Sequence, residues 1–222
     1  MALAAQLSAP VPTNLDKWFS GDDLPQYVLR EHNGLWTVGV RVTVTPQGAI
    51  LRCEIEIKSG IPDLDDFTCR TIVHRGKFAA ASAADGAPAF GVFRTWINWS
   101  VSEPGTTPPT VEIPDIDLLV QELPAGVRSP ATVFVMFSVD AAGLTSGCVA
   151  ESRPIDRTSN IDPALVMVAC REVMKSYKAT PAFDSSRRFI PSVQDAFVRF
   201  STTTRENAPT VDRRTGADNS VK

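Results

Sequence analysis

Alternating apolar and polar residues predict the first strands of this chain. Over residues 38–44 (VGVRVTV) valine occupies every second position, and over 51–58 Leu, Cys and Ile alternate with charged residues. A TPQG turn joins the two runs, and its Gly48 can adopt a positive φ. The pattern therefore predicts a β-hairpin with one buried face.

A helix and a third strand are predicted after this hairpin. Asp63 is the predicted N-cap of a helix that ends near Gly76 and carries Leu64, Cys69, Ile72 and Val73 on its apolar side. Residues 92–99 (VFRTWINW) alternate again and predict a strand. The predicted order is β-β-α-β.

The second half of the chain repeats this order. The run ATVFVMFSVDAAG at 131–143 matches the first strand and its turn, and Asp162 with Pro163 predicts the start of a second helix. CREVM at 170–174 matches CRTIV of the first helix, and FVRF at 197–200 matches WINW. An internal duplication explains these correspondences.

The duplication predicts an α+β fold of two tandem small repeats, each an antiparallel three-stranded sheet packed by one helix. The first repeat would span residues 12–102 and the second 115–203. A proline-rich linker is predicted at 103–114, and the polar residues 204–222 predict a disordered tail.

Composition excludes several functions. With 22 basic and 25 acidic residues the formal charge is −3 and no basic run occurs, so we expect no nucleic-acid partner. No stretch approaches the roughly 18 apolar residues that cross a bilayer. The opening MALAAQLSAPVP is either the end of a secretory signal whose start was lost or a frayed terminus.

The four cysteines do not have the spacing of common metal sites. The chain has no C-x-x-C pair, and its two histidines, His32 and His74, lie in a polar turn and late in the first predicted helix. We therefore expect no metal. A reactive thiol needs a cationic or histidine neighbour and partial exposure, whereas Cys53 and Cys148 lie on apolar strand faces.

In each repeat one cysteine lies on the second strand and the other on the core side of the helix. Packing of a helix on a sheet brings such positions within disulfide range, which predicts the pairs Cys53–Cys69 and Cys148–Cys170. Each bridge would add about 3 kcal/mol to the free energy of unfolding and would imply an oxidising compartment. The alternative is four reduced cysteines in the core.

Two acidic clusters are the candidates for acid–base chemistry or cation binding. They are GDD at 21–23 and the carboxylates Asp63, Asp65 and Asp66. Helix capping and a solvated loop explain them more simply. No serine lies in a G-x-S-x-G elbow. We predict that the protein is not an enzyme and has no catalytic residues and no cofactor.

Several segments together resemble the TonB C-terminal domain family. They are DDLP at 22–25, VGVRVTV to FTCR at 38–70, GKFAAASAADGAPAFG at 76–91 and TWINW at 95–99. Their order matches that family's pattern of a residue before proline, a V-x-V-x-V strand, a glycine turn, a helix and a final strand. The resemblance covers nearly all of the first repeat, and the second repeat matches more loosely.

The chain departs from this family in three places. Gly21 and Asp22 replace a Q-P element, and Ala80 replaces the proline of an F-x-P-A element. The inner-membrane helix and long proline-rich spacer of a TonB energy transducer are also missing from this sequence. We therefore expect the domain's binding role without transmission of force from a membrane motor, unless the N-terminus is truncated.

The resemblance implies a periplasmic protein that captures an extended segment of an outer-membrane transporter as an added strand. The expected binding edges are the last strand of each repeat. The expected partner-binding residues are Arg94, Trp96, Asn98, Phe197 and Arg199. In the alternative, these edges pair across the two repeats or in a homodimer, and the protein is a structural envelope module that contacts, for instance, the cell wall.

Overall fold

The computed structural model describes residues 7–26, 28, 34–101, 113–151 and 162–202. Two short 3-10 turns lie at Leu15–Lys17 and Gly21–Asp23. In chain order the strands and helices are β1 (Val11–Pro12), β2 (Gly34–Val44), β3 (Ile50–Ile57), α1 (Pro62–Arg75), β4 (Phe78–Ala79), β5 (Ala81–Ser82), β6 (Pro88–Ala89), β7 (Gly91–Val101), β8 (Ile116–Leu119), β9 (Ala131–Val139), β10 (Thr145–Ala150), α2 (Pro163–Ser176), β11 (Ala182–Phe183), β12 (Phe189–Ile190) and β13 (Ser192–Ser201).

The strands of the two predicted repeats form one seven-stranded sheet, and the predicted fold class of two separate three-stranded sheets is therefore wrong. The strand order is β10-β9-β13-β7-β2-β3, and β8 also pairs with β13. The two halves meet at the seam, a parallel bridge between Gly91 and Val193. There the N–H of Val193 donates to Phe90 O at 2.9 Å. Pairing at the seam satisfies backbone groups that separate sheets would leave exposed.

The two helices lie on opposite faces of this sheet. In β7, Phe93 and Trp99 belong to the core under α1, so the odd-numbered residues of that strand face α1. Paired residues share a face, and the seam therefore places Val193 and the other odd residues of β13 on the α1 face. The even residues Ala196 and Val198 pack under α2. The second half is therefore rotated about its strand direction relative to the first, because the seam joins a residue on the helix side of β7 to a residue on the opposite side of β13.

Each half has its own core beneath its helix. The valines at every second position from Val38 to Val44 are almost fully buried against Leu64 and Ile72 of α1. In the second half, Val133 to Val139 pack against Leu165, Ala169 and Val173 of α2. The predicted strand faces are confirmed here, whereas Val73, predicted on the apolar side of α1, is exposed. Gly48 has φ +80°, and a Cβ there would lie 2.3 Å from Phe78 O, so this turn requires glycine.

The first turns of the two helices are built differently. Asp162 caps α2 as predicted, because its Oδ1 accepts from the N–H of Ala164 at 2.8 Å. The N-cap of α1 is Ile61, so the prediction of Asp63 as N-cap is wrong. The carboxylate of Asp65 instead accepts from the N–H of Ser59 at 2.9 Å and fixes the preceding loop.

Most of the predicted linker and all of the predicted tail lie outside the described residues. Only residues 113 and 114 of the linker are described, together with β8 directly after them. Among the described helices, none combines the length and the apolar character that a membrane span requires.

Candidate functional site

Two disulfides hold the helices to the sheet. Cys53 of β3 is bonded to Cys69 of α1, and Cys148 of β10 to Cys170 of α2, each with Cα atoms 5.6 Å apart. The predicted pairing is confirmed, and the alternative of four reduced cysteines is wrong. Because such bonds persist in oxidising environments, the protein belongs to an oxidising, extracytoplasmic compartment.

A shallow groove of about 460 Å³ opens beside the first disulfide. It is lined by Cys53 and Cys69 together with Arg70, Val73 and His74 from the exposed side of α1. The Val73 side chain is 50% exposed. The groove therefore combines an accessible apolar surface with a guanidinium and an imidazole group.

The same groove borders an open edge of the sheet. β3 is an end strand, and no described strand other than β2 pairs with it. Its register with β2 shifts twice, between Gly39 and Val40 and between Thr43 and Val44, and leaves a regular stretch at Arg52–Ile55. Cys53 and Ile55 face α1. A strand added beside this stretch would direct alternate side chains toward the groove.

The opposite end strand is less suited to pairing. β10 has six residues, and its register with β9 shifts between Ser146 and Val149. Gly147 at this irregularity has φ +65°. A bulge in an edge strand interrupts the row of donors and acceptors that an incoming strand would need.

A network of charged side chains lies where the second half covers the first. Arg94 of β7 bridges two carboxylates, with Nε 2.9 Å from Glu56 and Nη1 2.6 Å from Asp115. Arg41, only 4% exposed, bonds Glu54 through Nη1 and Thr180 O through Nη2. These bonds connect β2, β3 and β7 to the segments before β8 and after α2.

Burial and charge shift two pKa values in this network. Burial opposes the charge of Arg94, but Asp115, Tyr177 and Glu56 outweigh it, so the pKa of Arg94 lies above its ordinary value. Burial raises the pKa of Tyr177, and the negative charge of Asp115 raises it further. Arg94 is thus a permanent cation and Tyr177 a neutral hydrogen-bonding group at neutral pH.

The residues predicted to bind a partner are placed in the middle of the sheet. Besides Arg94, Asn98 accepts a hydrogen bond from Thr37 Oγ1 at 2.8 Å, and Trp96 is half-buried between them along β7. Phe197 is 3% exposed and stacks on Phe134 with ring centroids 4.9 Å apart. Their contact with a partner stays a prediction.

The edges of β13 are covered from both sides. β9 pairs along one edge from Ser192 to Phe200, and on the other edge β8 pairs with Val198–Ser201. Arg199, one of the predicted contact residues, is ion-paired with Asp117 of β8. The strand predicted as a free edge is therefore an interior strand of the sheet.

The first acidic cluster holds the end of α1. Asp23 accepts from Arg75 Nη1 at 2.6 Å and from the N–H of Ser20 at 2.7 Å. No group of three or more His, Cys, Asp or Glu that could hold a metal occurs within the described residues. Asp23 and Asp65, one from each acidic cluster, make structural contacts.

The bond between Asp23 and Arg75 predicts an acid-dependent contribution to stability. Arg75 lowers the pKa of Asp23, helped by the backbone of Ser20. A carboxyl whose pKa is lower in the folded state adds stability above about pH 4, and this stability is lost as pH falls through the lowered value. Asp23→Asn should lower the urea midpoint at pH 7 and match the wild type near pH 1. An equal deficit at both pH values would contradict this prediction.

Sequence patterns did not identify the groove on α1. Val73 was predicted on the apolar side of α1, and neither Arg70 nor His74 was predicted to belong to a site. Only the disulfide, which fixes α1 at the edge of β3, turns these three side chains into the wall of a groove beside an open edge.

Comparison with protein-family models, curated proteins and solved structures gave no match to this chain. The resemblance to the TonB C-terminal domain family therefore stays a prediction.

Proposed function

We propose that this is a non-enzymatic periplasmic interaction protein that binds an extended segment of another envelope protein by strand addition to β3. The observation that carries the proposal is an open edge, at Arg52–Ile55, bordered by a groove with accessible apolar and cationic side chains. Main-chain hydrogen bonds would supply affinity and alternate side chains selectivity. The disulfides support the compartment, because the periplasm is oxidising.

The groove favours a particular kind of segment. Val73 offers an apolar contact, while Arg70 and His74 favour a carboxylate on a neighbouring alternate position of the bound strand. The resemblance to TonB domains suggests N-terminal segments of outer-membrane transporters as the partner class. Such a segment would carry apolar and acidic residues in alternation.

A titration with these segments tests the proposal. Peptides from transporter N-termini should shift the amide resonances of Arg52–Ile55 and of residues 69–74 in the full chain. Val73→Glu should weaken binding at least ten-fold, because it places a charge on the apolar contact. Met174→Glu is the matched control, since Met174 follows Cys170 as Val73 follows Cys69 and is 42% exposed. No shifts, or equal weakening by both variants, would overturn the proposal.

A second candidate is a structural envelope module that carries no transporter segment. It is favoured by the seam and by the pairing of β13 with β9 on one edge and with β7 and β8 on the other, which cover edges that a tandem of separate domains would offer. Co-sedimentation with purified cell wall, without any response to transporter peptides, would support it. Failure of both assays would reject it together with the first proposal.

A further inference from the structure

The N-terminal segment Leu7–Pro12, here called the strap, is itself an added strand. Ser8 and Ser82 exchange two backbone hydrogen bonds of 3.0 Å. Further along, Val11 pairs with Ala79 and Pro12 with Phe78, antiparallel. β5 therefore lies between the strap and β6. The strap uses the same main-chain bonding that an external peptide would use.

Alternate residues of the strap fill an apolar site on the second half of the molecule. Leu7 is 5% and Ala9 3% exposed, and both pack with Ala81, Met136 and Val193. The N–H of Ala9 also donates to Met136 Sδ at 3.1 Å. Met136 and Val193 lie on the sheet face opposite α2. The strap therefore covers a surface that α2 leaves uncovered.

Pro10 packs directly on the seam. A Cβ added to Gly91 would lie 2.6 Å from Pro10 Cδ and 2.8 Å from Ala81 Cβ, so the close approach requires glycine. Gly91 is also the seam residue paired with Val193. The strap thus contacts both halves at the point where their strands meet.

A residue just after the strap is anchored by side-chain hydrogen bonds. This residue, Asn14, accepts from Trp18 Nε1 and the N–H of Lys77 and donates to Arg75 O, which fixes this position to the end of α1. Residues 7–12 themselves contain no charged group and no cysteine. The strap is held by backbone hydrogen bonds and by the buried contacts of Leu7, Ala9 and Pro10, without an ion pair or a covalent cross-link, so it can detach while Asn14 stays in place.

We propose that the strap is exchangeable and that the site beneath it binds an extended segment of a partner protein. The resident sequence shows which segment fits: apolar residues at the positions of Leu7 and Ala9, and proline over Gly91. This site is separate from the edge of β3 and needs no contact with the groove.

Peptide binding to a strap-weakened full chain tests the proposal. A fluorescent QLSAPVPT peptide should bind the variant Leu7→Asp/Ala9→Asp one to one and at least ten-fold more tightly than the wild type. Leu15→Asp, which alters an exposed leucine outside the strap, should behave as the wild type does. A peptide with aspartate in place of both its leucine and its alanine should not bind.

Three results would overturn the proposal. They are no binding by a variant that retains both disulfides and a cooperative melt, equal binding by variant and wild type, and a variant dimer that excludes the peptide. The last would assign the site to a second copy. If the variant fails to fold, hydrogen exchange of the backbone amides in the wild type tests the proposal instead. The amide hydrogens of Ser8 and Ser82 should then exchange with solvent at least 100-fold faster than those at the centres of β2 and β9. Equal rates would show that the strap does not detach and would overturn the proposal.

Discussion

Replacement of both Cys53 and Cys69 by alanine should lower the free energy of unfolding by about 3 kcal/mol. The bond joins residues 16 positions apart, and its loss restores the freedom of that loop in the unfolded chain. For a chain of this size the melting temperature should fall by about 6–12 °C. Thermal and urea unfolding, followed by circular dichroism, measure both quantities.

The matched control is the pair Cys148 and Cys170, which closes a loop of 22 residues. Its replacement should destabilise the protein by a similar amount, about 3 kcal/mol. Because the seam joins both halves in one sheet, we expect each double variant to unfold in one transition. Two separate transitions, with one unmoved by the substitution, would show that the halves unfold independently and would contradict the role of the seam.

Arg94→Ala should destabilise the protein by about 3 kcal/mol. The Arg94 side chain is 22% exposed and that of Asp115 13%, so the substitution leaves a largely buried carboxylate without its cation. Glu56 loses a partner as well. Since Asp115 precedes β8 and Arg94 lies on β7, the contact holds the two halves together beyond the seam. Urea unfolding at neutral pH measures the loss.

Arg199→Ala is the matched control for Arg94→Ala. It breaks an ion pair with Asp117, whose side chain is 44% exposed, and should cost less than about 1 kcal/mol. Arg94→Lys should fall between the two, because one ammonium cannot reproduce the separate bonds of Nε and Nη1. Equal decreases in the free energy of unfolding for Arg94→Ala and Arg199→Ala would contradict this prediction, because burial of the network would then add nothing to stability.

Local pattern predicted much of each half correctly. Strict alternation in β2 and β9 specified which residues are buried, and the spacing on α1 and α2 specified most of each helix's buried face, with Val73 as the exception. The disulfides followed from these two facts, because a cysteine on a strand's core face and one on a helix's core face come together when helix packs on sheet. Each of these predictions uses contacts within one repeat.

The candidate site was predicted less well. The last strand of each repeat was expected to offer a free edge, and residues on β7 and β13 were therefore selected. Their side chains show which face of the strand they occupy, but no local pattern shows what lies beside a strand's edge. The groove on α1 was missed for the same reason, since it exists only where the helix meets the end strand β3.

The sequence by itself determined the two β-β-α-β units, their buried faces and their disulfides, because alternation, helical spacing and cysteine position act over short distances along the chain. The tertiary structure alone decided that the units share one sheet, with their helices on opposite faces and the strap across the seam. The physical reason is that strands pair at their edges through backbone donors and acceptors. Every residue except proline carries both groups in the same form, so the side-chain pattern does not show which strand a given edge will pair with.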